Sequence, residues 1–344
     1  MIRVRRFVSG VGMLSLPLLA MSSSACGKQD KASSTTVTGA PSALTSVTES
    51  TPGAAPPPSV RPGDPAQAFM AWRNIGLSSP ESVIYDEVGD VYLVSNMDGQ
   101  PTDADRKAFI TKLSPEGKVI DLKWIDSGKN NVTLNAPKGM GIAGDHLYVA
   151  DIDTVRIFDR TTGAPLGQVK IPNATFLNDV AIDADGRVLV SDSGFKAGAK
   201  GLVSSNNDAV YAVEPGNPDA KDRKVKAIAK SKDLGGPNGI ALVGDKMWVG
   251  TTKSGELYAL DAKGKKGDVQ KLPRGALDGV VAMGDELLVS SWDANAIYRL
   301  KPGGEVKLAV QGVRSPADIA YDKKRKRLLV PLLMENEVRV YDLE

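Results

Sequence analysis

The sequence holds a single histidine, His146, and a single cysteine, Cys26, in 344 residues. One cysteine excludes an intramolecular disulfide. One Cys with one His excludes a zinc site built on several such ligands. Any Ser-His-Asp triad would have to use His146. Charge of one sign is also missing: 43 Lys and Arg face 41 Asp and Glu, for a net +2. Such a balance offers no footprint for nucleic acid, and no nucleic-acid partner is expected. Segments of helical period are absent. The leading apolar run, Phe7 to Met21, is too short for a comfortable membrane span.

That run follows Arg3, Arg5 and Arg6 and precedes the small residues Ser22 to Ala25. The order is that of a secretory signal, expected over residues 1–25. Cys26 comes next, in a setting that resembles a bacterial lipobox, with Ser23 where Leu is usual. The resemblance implies lipidation of Cys26 and a membrane anchor through it; plain secretion with a spare cysteine is the alternative. Gly27 and Lys28 follow rather than Asp, which in a Gram-negative host implies the outer membrane facing the periplasm. Residues 26–65, rich in Ser, Thr, Ala and Pro, read as a disordered tether. The folded domain is expected over 66–344.

That domain repeats itself. Similar turns open at Pro80-Glu81, Pro137-Lys138, Leu177-Asn178, Pro237-Asn238, Leu277-Asp278 and Pro316-Ala317. Steps between them are 57, 40, 60, 40 and 39 residues, a period near 40 with insertions. After each turn come a short apolar strand, a tight hairpin such as Gly244-Asp245, an alternating strand, and two more. Period-2 alternation with frequent hairpins predicts four-stranded antiparallel blades. Six copies predict an all-β, six-bladed β-propeller. The last copy stops after three strands. The run Ala68 to Arg73 matches Val306 to Val310, so the N-terminal strand should complete the last blade and close the ring.

In a propeller the first strand of each blade lines the central channel. The second residue of every turn should therefore face one axis: Glu81, Lys138, Asn178, Asn238, Asp278 and Ala317. Apolar residues would plug a purely structural channel. Two carboxylates and two amides instead make a hard-oxygen site suited to Ca2+ or Mg2+.

Here the wording PESVIYD, FLNDVAIDADGRVLVSD, GPNGIAL and LDGVV resembles the regucalcin and gluconolactonase (senescence marker protein) family over most of Pro80 to Glu344. The resemblance implies one axial divalent metal, held by Glu81, Asn238 and Asp278, with Asn178 beside metal and substrate. Ca2+ is the first expectation; oxygen ligands also admit Zn2+, Mg2+ and Mn2+. The paraoxonases carry a similar Glu, Asn, Asn and Asp set, but their histidine pair is missing here. Phe176 stands where regucalcin-like lactonases carry a sugar-gripping Arg, so a sugar-lactone preference is not implied. His146 falls in a hairpin turn and reads as a surface residue.

Two functions follow. One is a hydrolase opening a lactone or ester with metal-activated water, Asp278 as acid-base group and Asn178 orienting water or substrate. The other is a metal-stabilised binding module at the cell envelope. Lys138 would grip an anionic group or neutralise a carboxylate. The loops from Asn96 to Phe109 and from Gly194 to Asp208 would overhang the mouth as lids, or be plain insertions. Phe176 and Lys138 are substrate-side candidates; Asp98, Asp192 and Trp292, after second strands, are further pocket candidates. The basic turn from Lys323 to Arg327 should lie on the far face, solvated.

Overall fold

Each predicted hairpin forms where its turn residues allow it. Gly144, Gly244 and Gly284 take positive φ of 58°, 63° and 66°, the left-handed backbone that two-residue hairpins require. The computed structural model describes residues 67–218, 223–261 and 263–343. These fall in one unit, Pro58–Glu344. The expected signal sequence (1–25), Cys26 and the whole of the expected tether (26–65) lie outside the described residues.

Among the described residues are six four-stranded antiparallel sheets and one small two-stranded one. The six are the blades of a β-propeller. The innermost strands of blades 1 to 5 are Pro80–Asp86, Pro137–Ala143, Leu177–Ile182, Pro237–Val243 and Leu277–Met283; that of blade 6 is Ala320–Asp322. The ring closes as the sequence predicts: Met70–Trp72 pairs antiparallel with the last strand, Glu337–Asp342, with Met70 opposite Val340 and Trp72 opposite Val338. Trp72 Nε1 also donates to the Gly117 carbonyl of blade 1 at 3.0 Å. Buried apolar residues gather between neighbouring blades. Trp72, Val83, Tyr92, Leu329 and Val338 pack across the closing seam; Trp248, Leu257, Leu277, Val280 and Tyr298 pack between blades 4 and 5.

One irregularity recurs. In blades 1 to 5 the innermost strand slips register just after its first residue, for example between Pro237 and Ile240. The skipped residues, the second and third of each motif in blades 2 to 5 and Glu81 alone in blade 1, bulge out of the ladder. A Cβ on Gly139, Gly239 or Gly279 would strike the next blade's motif backbone at 2.5, 2.3 and 2.4 Å. Glycine at these third positions lets neighbouring inner strands touch.

The turn from Lys323 to Arg327 is more than a solvated turn. Arg325 reaches blade 1, where its Nη1 and Nη2 donate to Asp90 at 2.8 Å each, and Lys324 adds a bond of 2.7 Å to the same carboxylate. Arg325 also holds Asp322 at 3.0 Å. The bidentate fork is a second clasp across the closing seam.

Candidate metal centre and substrate cavity

The bulges deliver buried Glu81, Lys138, Asn178, Asn238 and Asp278 to one cavity of about 420 Å³. Ala317 is buried too but lies outside the lining. Position, not local propensity, makes the site: each residue follows the first residue of its strand, where the ladder slips.

Two oxygens stand out. Glu81 Oε2 and Asp278 Oδ1 are buried without any hydrogen-bond partner. A buried, unpaired carboxylate oxygen is costly, and such orphans call for an explanation. The other Asp278 oxygen, Oδ2, accepts from Trp292 Nε1 at 2.8 Å. Asn238 spends its NH2 on Thr252 Oγ1 at 3.0 Å and the Leu277 carbonyl at 3.4 Å. Asn178 donates to Ser193 Oγ at 3.0 Å, and Ser193 donates onward to the Pro237 carbonyl at 2.7 Å. Both amides are thus held by their nitrogens, which leaves their carbonyl oxygens as the ends for a ligand. Lys138 Nζ donates to the carbonyls of Pro101 and Ala136, each at 3.0 Å, and sits 4.4 Å from the Phe176 ring centre.

Sequence reasoning missed the third motif position. Asp179 and Asp318 stand there, buried, where other blades have glycine or Ser82. Asp179 accepts from the backbone N–H of Val180 and, in the next blade, of Ile240, both at 2.6 Å. Asp318 accepts from Ser82 Oγ at 2.6 Å across the closing seam. The hint was available: Asn178-Asp179 and Ala317-Asp318 break a Gly pattern seen at three other turns.

Four carboxylates and one ammonium therefore share the axis, and none is easily charged. Burial, with Asp179 adding repulsion, pushes Asp278 up to about 7 against the Trp292 hydrogen bond. Burial raises Asp179 to about 6 although two backbone N–H groups oppose it. Glu81 and Asp318 are driven well above the usual carboxylate range, by burial first and neighbouring carboxylates next. Burial lowers Lys138, and Glu81 chiefly resists it. The ring thus holds carboxyls that burial and mutual repulsion keep from ionising freely. Among the described residues no three His, Cys, Asp or Glu side chains group as metal ligands; the ring combines two carboxylates with two amides.

The remaining pocket candidates divide. Phe176 and Trp292 line the cavity. Asp98 and Asp192 do not, contrary to expectation. Asp98 accepts from Ser78 Oγ at 2.8 Å. Asp192 is fully buried and accepts from the backbone N–H of Thr175, Phe176 and Gly194 at 2.9 to 3.0 Å. It ends the second strand opposite Leu177, where a carboxylate meets the turn's free N–H groups before it can meet a substrate. Asp151 does the same in blade 2, accepting from Asn135 and Ala136. His146 opens a strand opposite Ala143, away from the cavity. Both long loops reach the mouth: Met97, Gly99, Gln100 and Pro101 come from the first, Phe195 and Leu202 from the second. The second loop carries an unforeseen hairpin, Phe195–Gly198 with Gly201–Ser204.

Known structures share this architecture. A gluconolactonase of Xanthomonas campestris is 16% identical over 81% of this chain and 88% of its own, with a TM-score of 0.56. A putative gluconolactonase gives 16% identity, 81% and 94% coverage and 0.58. A virginiamycin B lyase of Staphylococcus aureus gives 11%, 80%, 99% and 0.55. At such identities the likeness is one of fold. Comparison with curated protein sequences finds no match. The family pattern described as the SMP-30/Gluconolactonase/LRE-like region matches residues 80–331. It spans the whole ring from Glu81 to Asp278, and this chain belongs to that family.

Proposed function

We propose that the protein is a metal-dependent hydrolase that opens a lactone or a related ester. The observation that carries this reading is the pair of buried, unpartnered oxygens, Glu81 Oε2 and Asp278 Oδ1, at the base of a cavity. Their chemistry, with the amide oxygen of Asn238, fits one divalent cation; Ca2+ suits the set best, and Zn2+, Mg2+ or Mn2+ are the alternatives. Bound there, such an ion supplies Lewis acidity toward a carbonyl and acidifies a water.

The chain's own groups divide the remaining work. Trp292 fixes Asp278 by donating to Oδ2, which turns Oδ1 to the ion and leaves the second lone pair of Oδ2 to take up and return a proton. Asn178, anchored by Ser193, orients water or the substrate. Lys138 has two N–H groups committed to carbonyls and a third for a substrate oxygen. A binding module for a macromolecule would present a broad face; a cavity of about 420 Å³ under two loops supports a small-molecule substrate instead.

Calorimetric titration of Ca2+ and Zn2+ into chelator-stripped protein, beside Asp278→Ala, tests the site. One ion bound by wild type and lost in the variant is expected, followed by metal-dependent opening of lactones or esters. No binding by either protein, or no substrate opened under saturating metal, overturns the proposal. The N-terminal pattern supports export, with Cys26 lipidated and the protein tethered at the cell envelope.

A further inference from the structure

Above the ring, the cavity wall changes character. Met97, Phe176, Phe195, Leu202, Leu333 and Met334 line it. The polar groups there are few and mostly spent. Thr252 Oγ1 accepts from Asn238 and donates to the Leu277 carbonyl, and the Trp292 N–H is committed to Asp278. Ser79 and Gln100 remain. A polyhydroxylated ring would bury more hydroxyls than this wall can pair, and each unpaired one costs about tenfold or more in binding.

The wall is also built to stay. Phe195 meets Phe176 edge-on, with ring centres 5.6 Å apart. Lys253, from blade 4, donates to the Gly194 carbonyl at 3.1 Å, Ser204 Oγ at 3.3 Å and Asp208 at 2.7 Å, so it grips both ends of the hairpin. It lies 4.7 Å from the Phe195 ring centre. Leu202, 43% exposed, stands opposite Ala197 near the hairpin's turn and lines the cavity.

We propose that the cavity selects a lactone or ester bearing an alkyl or aryl substituent, with the Phe195–Ser204 hairpin as the specificity-determining roof. The proposal rests on the hydrolase reading for its reaction but not for its ligand class. The test uses the full-length protein with saturating Ca2+. Binding by calorimetry and ring opening by pH-stat are measured for γ-butyrolactone, γ-nonalactone and glucono-δ-lactone, in wild type and Leu202→Asp. Binding and kcat/KM should rise with chain length, by up to about fourfold for each methylene buried. Glucono-δ-lactone should fall at least about tenfold below γ-nonalactone. Leu202→Asp, at a half-exposed position where folding is safe and a melting curve confirms it, should flatten the chain-length dependence. Graded binding without ring opening would uphold the selectivity and overturn the hydrolase reading alone. Glucono-δ-lactone handled as well as γ-nonalactone, or no dependence on chain length, overturns the proposal.

Discussion

Replacing Asp278 by Asn removes one charge from the ring while keeping an oxygen for the Trp292 N–H. In metal-free protein that change should stabilise the fold. The carboxyl moves from 3.8 to about 7 on folding, chiefly through burial. A group raised in the folded state contributes stability that is fully present below pH 3.8 and lost as pH rises through about 7. At pH 8 the wild-type protein therefore bears a penalty of about 4 kcal/mol, falling to about 2 kcal/mol at pH 5. For a domain of this size the larger figure is worth roughly 10 °C in melting temperature. Melting in chelator at pH 8 and pH 5, followed by circular dichroism, reads it directly. Asp278→Asn should melt higher at pH 8 and by a smaller margin at pH 5. Saturating Ca2+ should raise wild type and leave the variant nearly unchanged. A variant no more stable than wild type at pH 8, or one with the same gain at both pH values, would refute the account of a ring strained by its own charge.

Further tests address other parts of the structure. Trp292→Phe removes the bond that orients Asp278; Ca2+ affinity should fall about tenfold, as supporting partners of metal ligands commonly show, read by calorimetry. Arg325→Ala opens the clasp to Asp90 and should cost about 1 to 2 kcal/mol, seen as a lower denaturation midpoint that moves closer to wild type at high salt. Trp72→Ala empties a buried site in the closing seam and should cost about 3 to 5 kcal/mol, measured by urea unfolding. Cys26→Ser should abolish incorporation of a labelled fatty acid and release the protein from the membrane fraction; equal labelling of both proteins would remove the anchor.

The second position of each motif was readable in the sequence because a repeat supplies its own alignment, and a fixed register carries each residue to the same place on the axis. Closure was readable for the same reason: the run around Met70 is the strand missing from the last copy. What resisted reading was chemistry between copies. Nothing near Asp179 in the chain announces that its carboxylate will hold the Ile240 N–H of the next blade, and nothing near Lys324 or Arg325 names Asp90 as their partner. Asp98 and Asp192 failed for a local reason. Topology brought them to the mouth's side of the sheet, but a short carboxylate finds the nearest donor first, and those donors belong to the turn beside it. The hairpin around Leu202 has too little alternation to be told from loop.

The closing strand is made first and used last. Met70 pairs with Val340, and about 270 residues separate them along the chain. At ordinary rates of synthesis that strand waits roughly 15 to 50 s for its partner. An exposed, unpaired strand is an invitation to association with other chains. Here it is only three residues long, Met70–Trp72. Three rungs suffice to finish a blade that Trp72 then locks by burial, yet offer little edge on which neighbouring nascent chains could assemble. The brevity of that strand limits a hazard that a ring stitched from its two ends cannot avoid.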